Sequence, residues 1–156
     1  MLVKMTPSEC AIAQMLALMR NATARNNGVT DKQMGKQDPI EIDRDGMLAE
    51  MAFGKAFNLY PDLSVFPRKG GADLIGRTGK KIDVKATRYK NGRLAIHIDK
   101  SVDEVDIYVL AIVEGNDVDL VGYIDSASAI RKENVRSLGY GNGYIVEQDS
   151  LTKFKK

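Results

Sequence analysis

The sequence predicts one α/β (α+β) domain, a mixed central β-sheet flanked by helices, and three observations point there. Two segments with helical spacing of apolar residues lie before residue 59. From residue 72 onward the pattern changes to short alternating or continuous apolar runs, separated by Gly and Asn turns. The chain has 156 residues, 44% hydrophobic and 28% charged, which suits a single domain over 1–156 that buries a core without staples.

The elements follow in order. Thr6-Pro7-Ser8-Glu9 reads as a helix start, with Thr6 as N-cap, Pro7 at the first position and Glu9 closing a capping box. This N-terminal helix spans 6–24, with Ile12, Met15, Leu16 and Met19 as its apolar stripe. Residues 25–38 read as a loop. A second helix covers 44–58, started by Asp43 or Asp45, and Leu48, Ala49, Ala52, Phe53, Ala56 and Phe57 form its buried face. Strands are expected at 72–75, 81–87, 94–98, 106–113 and 118–124, with turns at Gly76–Gly79, Asn91-Gly92 and Gly115–Asp117. A short helix over 126–132 and a strand at 144–146 make the C-terminal helix/strand part, 126–148, and the basic tail 153–156 should fray. The link from Ile98 to Asp106 is short for a helical crossover between parallel strands, which takes about a dozen residues. Either the strands there are antiparallel or the crossover helix is displaced to 126–136.

Composition narrows the chemistry. A single cysteine, Cys10, excludes an internal disulfide, and one histidine, His97, excludes His-rich zinc centres. A bound metal would therefore be held by carboxylates and carbonyls, which favours Mg²⁺, with Mn²⁺ as a substitute. No apolar run is long enough to span a membrane, so the expectation is a cytoplasmic protein with no membrane partner. The net charge is only +2, but residues 68–100 carry ten Lys/Arg against three acids, while 101–125 carry seven acids and no Lys or Arg. The basic block surrounds Asp73 and Asp83 and would draw a polyanion such as DNA. Within it Arg68, Lys69, Arg77, Lys80, Lys81, Thr87 and Arg88 are candidate phosphate contacts.

Asp83 and Lys85 are two apart in a strand and share a face, roughly 6.5 Å apart along the chain. Asp73 precedes them across a short turn. Two carboxylates brought close repel unless a cation lies between them. A divalent metal resolves that, and can activate water and polarise a phosphate. Lys85 would steady the attacking hydroxide or the developing charge. Glu50, on the second helix, has no cation at i±3 or i±4 and lies at the edge of an apolar face, so it needs a partner from elsewhere. Gly54, inside the same helix, signals a close approach on that side.

The ordered set Gly46–Glu50, Gly71–Leu74 and Ile82–Thr87 resembles the PD-(D/E)XK, or restriction-endonuclease-like, nuclease superfamily over roughly 43–125. The resemblance implies a mixed-sheet core and Mg²⁺-dependent cleavage of DNA. It also implies that Asp73 and Asp83 are metal ligands, Val84 a carbonyl ligand, Lys85 the catalytic lysine and Glu50 the helical acid, acting on the metal through water. Ala72 stands where the family's proline would be. Cutting both strands at once would require a homodimer. The competing expectation is a nucleic-acid-binding module that keeps this fold without cleaving.

Overall fold

The computed structural model describes residues 1–28, 38–66, 71–139 and 141–155. Thr6 starts the first helix as its sequence requires. Its hydroxyl accepts the Glu9 N–H at 3.2 Å, and the Glu9 carboxylate accepts the Thr6 N–H at 2.6 Å. The helix, α1 (Pro7–Asn26), packs on a second, α2 (Pro39–Phe57). The latter starts five residues before the expected 44, because Asp38 caps it through the Ile40 N–H and Pro39 takes the first helical position. Asp43 and Asp45 are therefore interior to α2. The expected loop 25–38 lies mostly outside the described residues.

Eight strands follow among the described residues: β1 (Leu2–Lys4), β2 (Leu74–Ile75), β3 (Lys81–Thr87), β4 (Leu94–His97), β5 (Ile107–Glu114), β6 (Asp117–Asp125), β7 (Val135–Ser137) and β8 (Asn142–Val146). Five form a mixed sheet in the order β1-β6-β5-β3-β2, and the other three an antiparallel sheet in the order β4-β8-β7. The one parallel pair in the main sheet is β3 with β5. Asp106 sets its start: its carboxylate accepts the Lys81 N–H and its own N–H bonds the Lys81 carbonyl.

The crossover between these parallel strands corrects both sequence alternatives. It is neither avoided nor made by a helix at 126–136. Residues 88–106 make it, and β4 leaves the main sheet on the way to join the small one. The helix expected at 126–132 is a single turn, α3 (Ser126–Ala129), capped by the Asp125 carboxylate.

Two cores result. The helices cover one face of the main sheet, where Ala13, Met47, Leu48 and Ala52 meet Ile82, Val84, Val109 and Ala111. The small sheet covers the other, where Leu94, Ile96 and Val146 meet Tyr108, Leu110 and Ile112. The apolar stripe expected on α1 holds only at Leu16, which packs against the helix-side core. Ala13 and Ala17 face inward because small residues let the two helices approach, and Ile12, Met15 and Met19 are exposed. Within the tail expected to fray, Phe154 packs against Phe53, Phe57 and Tyr123, and just before it Thr152 bridges to Tyr123.

Candidate active site

β2 pairs with β3 only at Lys81 and Ile82, and among the described residues no strand pairs with that side of β3 from Asp83 onward. Alternation along β3 sends Ile82 and Val84 into the helix-side core and turns Asp83 to the other face. Asp83 is only 3% exposed and stands beside Tyr108 in the β3–β5 register. Its Oδ1 lies 2.6 Å from the Lys85 ammonium, an ion pair between strand neighbours on one face.

Asp73 reaches the same place from the far side of the turn. Its N–H bonds the Ile82 carbonyl at 2.8 Å, and its Oδ2 accepts the Val84 N–H at 2.8 Å. The carboxylate thus occupies the edge that β2 leaves open. The N–H and C=O of an extended residue project to the same side, so the Val84 carbonyl also points to that edge.

Glu50 is buried at 7% exposure, and the partner it requires comes from α1. Arg20 places Nη1 3.4 Å from its Oε2, and also donates to the carbonyls of Asp62 and Ser64. The Asp62 N–H in turn bonds the Asp73 carbonyl at 3.1 Å. Arg20 therefore ties the helical acid to the segment that carries Asp73. Sequence reasoning missed it, because its signal depends on the stripe assigned to α1: Arg20 lies at i+3 from Ala17 and i+7 from Ala13.

The three acids act on one cation. Burial pulls the Lys85 ammonium toward its neutral form, but Asp83 first, then Asp73 and Glu50, outweigh burial and hold its pKa above the usual lysine value. Asp83, Asp73, Glu50 and Lys85 are thus brought into one electrostatic neighbourhood, with Val84 between the strand pair. Behind Asp83, Tyr108 is fully buried. Burial, then Asp83 and Glu104, raise its phenol well above the ordinary range, with Ser126 opposing slightly. The Tyr108 and Ser126 hydroxyls are buried without a well-formed hydrogen bond, whereas Asp83 Oδ1 is held by the Lys85 ammonium.

The basic block is less available than its count implies. Arg88 pairs with Asp45 and, at 2.9 Å, with Glu41. Lys90, Arg93 and Lys100 pair with Glu114, Glu147 and Glu104. The Thr87 hydroxyl accepts the Tyr89 N–H. Arg77, Lys80 and Lys81 are exposed and have no carboxylate partner among the described residues, whereas Arg68 and Lys69 lie outside those residues. The acids of 101–125 are engaged within the chain as well, through Asp106, the Asp125 cap and the Met1–Asp119 pair.

Among the described residues no three His, Cys, Asp or Glu side chains gather as a direct ligand set for an ion. The donors at the β3 edge still suit a hard divalent cation in kind, since they are all oxygens, and an ion at Asp83 Oδ1 would displace the Lys85 ammonium that stands 2.6 Å from it. In comparisons with known proteins, no family model matches the chain, and no curated protein matches it. No described helix is long and apolar enough to cross a membrane.

Proposed function

We propose that this protein is a metal-dependent nuclease that hydrolyses DNA phosphodiester bonds at the open edge of β3. One observation carries the reading: Asp83 stands 2.6 Å from the Lys85 ammonium, and the Asp73 carboxylate accepts the Val84 N–H between them. Two acids and a lysine gathered on one stretch of strand do little for folding that an apolar cluster would not do better. Asp73, Asp83 and the Val84 carbonyl would hold Mg²⁺, or Mn²⁺ in its place, and Glu50 would reach it through water. Two carboxylates with one carbonyl, completed by water, is an arrangement Mg²⁺ favours. When bound, the ion would supply Lewis acidity toward the scissile phosphate.

The chain's own residues divide the remaining work. The Asp83 carboxylate, 2.6 Å away, favours the charged ammonium of Lys85. As the ammonium it can donate to a phosphate oxygen and stabilise developing negative charge. Arg20 holds Glu50 and the Asp62 carbonyl in place, which keeps the Asp73 segment against β3. Arg77, Lys80 and Lys81 remain for the phosphate backbone.

The test is cleavage of plasmid, linear duplex, single strand, branched junction and RNA with and without Mg²⁺. Asp83→Ala and Lys85→Ala should each lower the rate at least about 100-fold, with the circular dichroism spectrum unchanged. Full activity in both variants would sink the proposal. The second reading is a module that binds nucleic acid without cutting. The 2.6 Å Lys85–Asp83 pair favours it, because the lysine already neutralises the most buried acid. Salt-sensitive DNA binding with no nicking across several metals would decide for that reading.

A further inference from the structure

Arg20, Arg44, Arg88 and Arg93 each stand within ion-pair distance of a carboxylate. Arg131 and Arg136 are exposed and have none within that distance among the described residues, and the same holds for Lys132 beside them, with Glu133 as the acid of that segment. What holds the two guanidiniums is neutral. Arg131 donates from Nε to the Ala127 carbonyl at 3.0 Å and from Nη2 to the Ser128 hydroxyl at 3.3 Å. Arg136 donates from Nη1 to the carbonyls of Glu133 at 2.6 Å and Val135 at 2.8 Å. Such acceptors fix a guanidinium without cancelling its charge, and they leave its other N–H groups for a further acceptor. The backbone that carries these side chains is itself tied down. Asn134 donates from Nδ2 to the carbonyls of Ser128 at 3.0 Å and Ala129 at 2.8 Å, and β7 pairs with β8.

Topology brings this charge to the candidate site. β3 and β5 begin, and β6 ends, at one end of the main sheet. Lys80 and Lys81 stand exposed there at the entry of β3, and α3 follows β6 at the same end. A cavity of about 290 Å³ at this end is lined by Lys80 and Ser128, and Arg131 reaches the same Ser128 hydroxyl. Asp106 and Asp125, the acids between the two groups of cations, are engaged by the N–H groups of Lys81 and Ser128. Asp83 follows Lys81 by two residues on the same face of β3. Outside the described residues the chain has Asp31 as its only acid, so these cations cannot all be neutralised from there.

We propose that Arg131, Lys132 and Arg136 extend the cations of the β2–β3 turn into one band that holds the phosphate backbone of a nucleic acid passing the β3 edge. The cations are spread over separate segments, so a polyanion with repeating charge can meet all of them, whereas a single phosphate would meet one or two. That the polyanion is a nucleic acid, and not an acidic protein, rests on the nuclease reading.

Anisotropy of a labelled duplex oligonucleotide over a salt series, in EDTA so that nothing is cut, tests the band with the full chain. Arg131→Ala/Arg136→Ala should weaken binding at least about 10-fold and reduce the slope of log K against log salt by about 2. Arg131→Gln/Arg136→Gln keeps side-chain donors without the charge and should show the same loss, with an unchanged circular dichroism spectrum. Lys4→Ala/Lys90→Ala removes the same charge beside Asp117 and Glu114, at the other end of the sheet, and should change affinity by less than about 2-fold. Equal losses in the two alanine variants, an unchanged salt slope, or competition by poly-glutamate as strong as by the duplex would each overturn the band. If any of these is found while the chain still cuts DNA with Mg²⁺, only the band falls. If the arginine variants lose binding as expected but the chain cuts no DNA, the band stands and the nuclease reading falls.

Discussion

Asp83 and Tyr108 stand side by side on adjacent strands, and each carries a polar group into the buried interior. Tyr108 fills the small-sheet core with its ring, and its hydroxyl lies near Ser126 without a well-formed hydrogen bond. Tyr108→Phe should therefore leave stability unchanged or raise it by up to about 1 kcal/mol, measured by urea unfolding. A loss of more than about 2 kcal/mol would mean that the hydroxyl has a strong partner. The acids of the candidate site were legible in the sequence because residue type, strand parity and a short turn are all local. Arg20 and Tyr108 were not, because each acquires its meaning from another element: Arg20 from how α1 packs on α2, Tyr108 from the register between β3 and β5. Arg88 shows the converse, a cation that reads as a phosphate contact but serves to hold Asp45 and Glu41 of α2.

At the scale of elements, α2 is held close to its surroundings by Gly54. A Cβ there would lie 2.8 Å from the Leu59 carbonyl oxygen and 3.3 Å from Leu74 and Pro61. Alanine favours a helix over glycine by about 1 kcal/mol, but the obstacle is backbone and cannot swing aside. The Leu59 N–H also bonds the Gly54 carbonyl at 2.8 Å, so the two segments are locked together. Gly54→Ala should destabilise the protein by about 1–3 kcal/mol, read as a lower thermal midpoint. The glycine's signal was legible, and so was the capping box of α1. The inward face of α1 was not. Both sides of that helix carry apolar residues, and periodicity favours the larger ones, whereas close helix packing selected Ala13 and Ala17. The crossover failed for a related reason, since a strand that changes sheets has the same alternating pattern as one that stays.

For the whole molecule, charge placement defines a pH window. Hydrogen bonding by Lys55 and the Thr6 cap lowers the Glu9 pKa, and the Ser128 groups lower that of Asp125. Folded-state values below the unfolded ones mean stability that is present above the ordinary carboxylate range and is lost on acidification. Lys85 has the opposite sign. Its raised pKa contributes stability below its ordinary 10.5, which is lost as pH rises through the folded value. Thermal midpoints at low salt should therefore stay level between about pH 5 and pH 10 and fall on both sides, and Lys85→Met should flatten the alkaline fall. The three-residue strand β1 carries a consequence of another kind. Val3 pairs with Val118, far along the chain, whereas β2 meets β3 across a short turn. Closing so long a loop before any reward is slow, so β1 should dock last, after the edge of β3 has formed. Val3→Ala should then hasten unfolding, for a loss of about 1–2 kcal/mol, and leave the refolding rate nearly unchanged in stopped-flow measurements. In time as in space, the candidate site would be assembled before the sheet is finished.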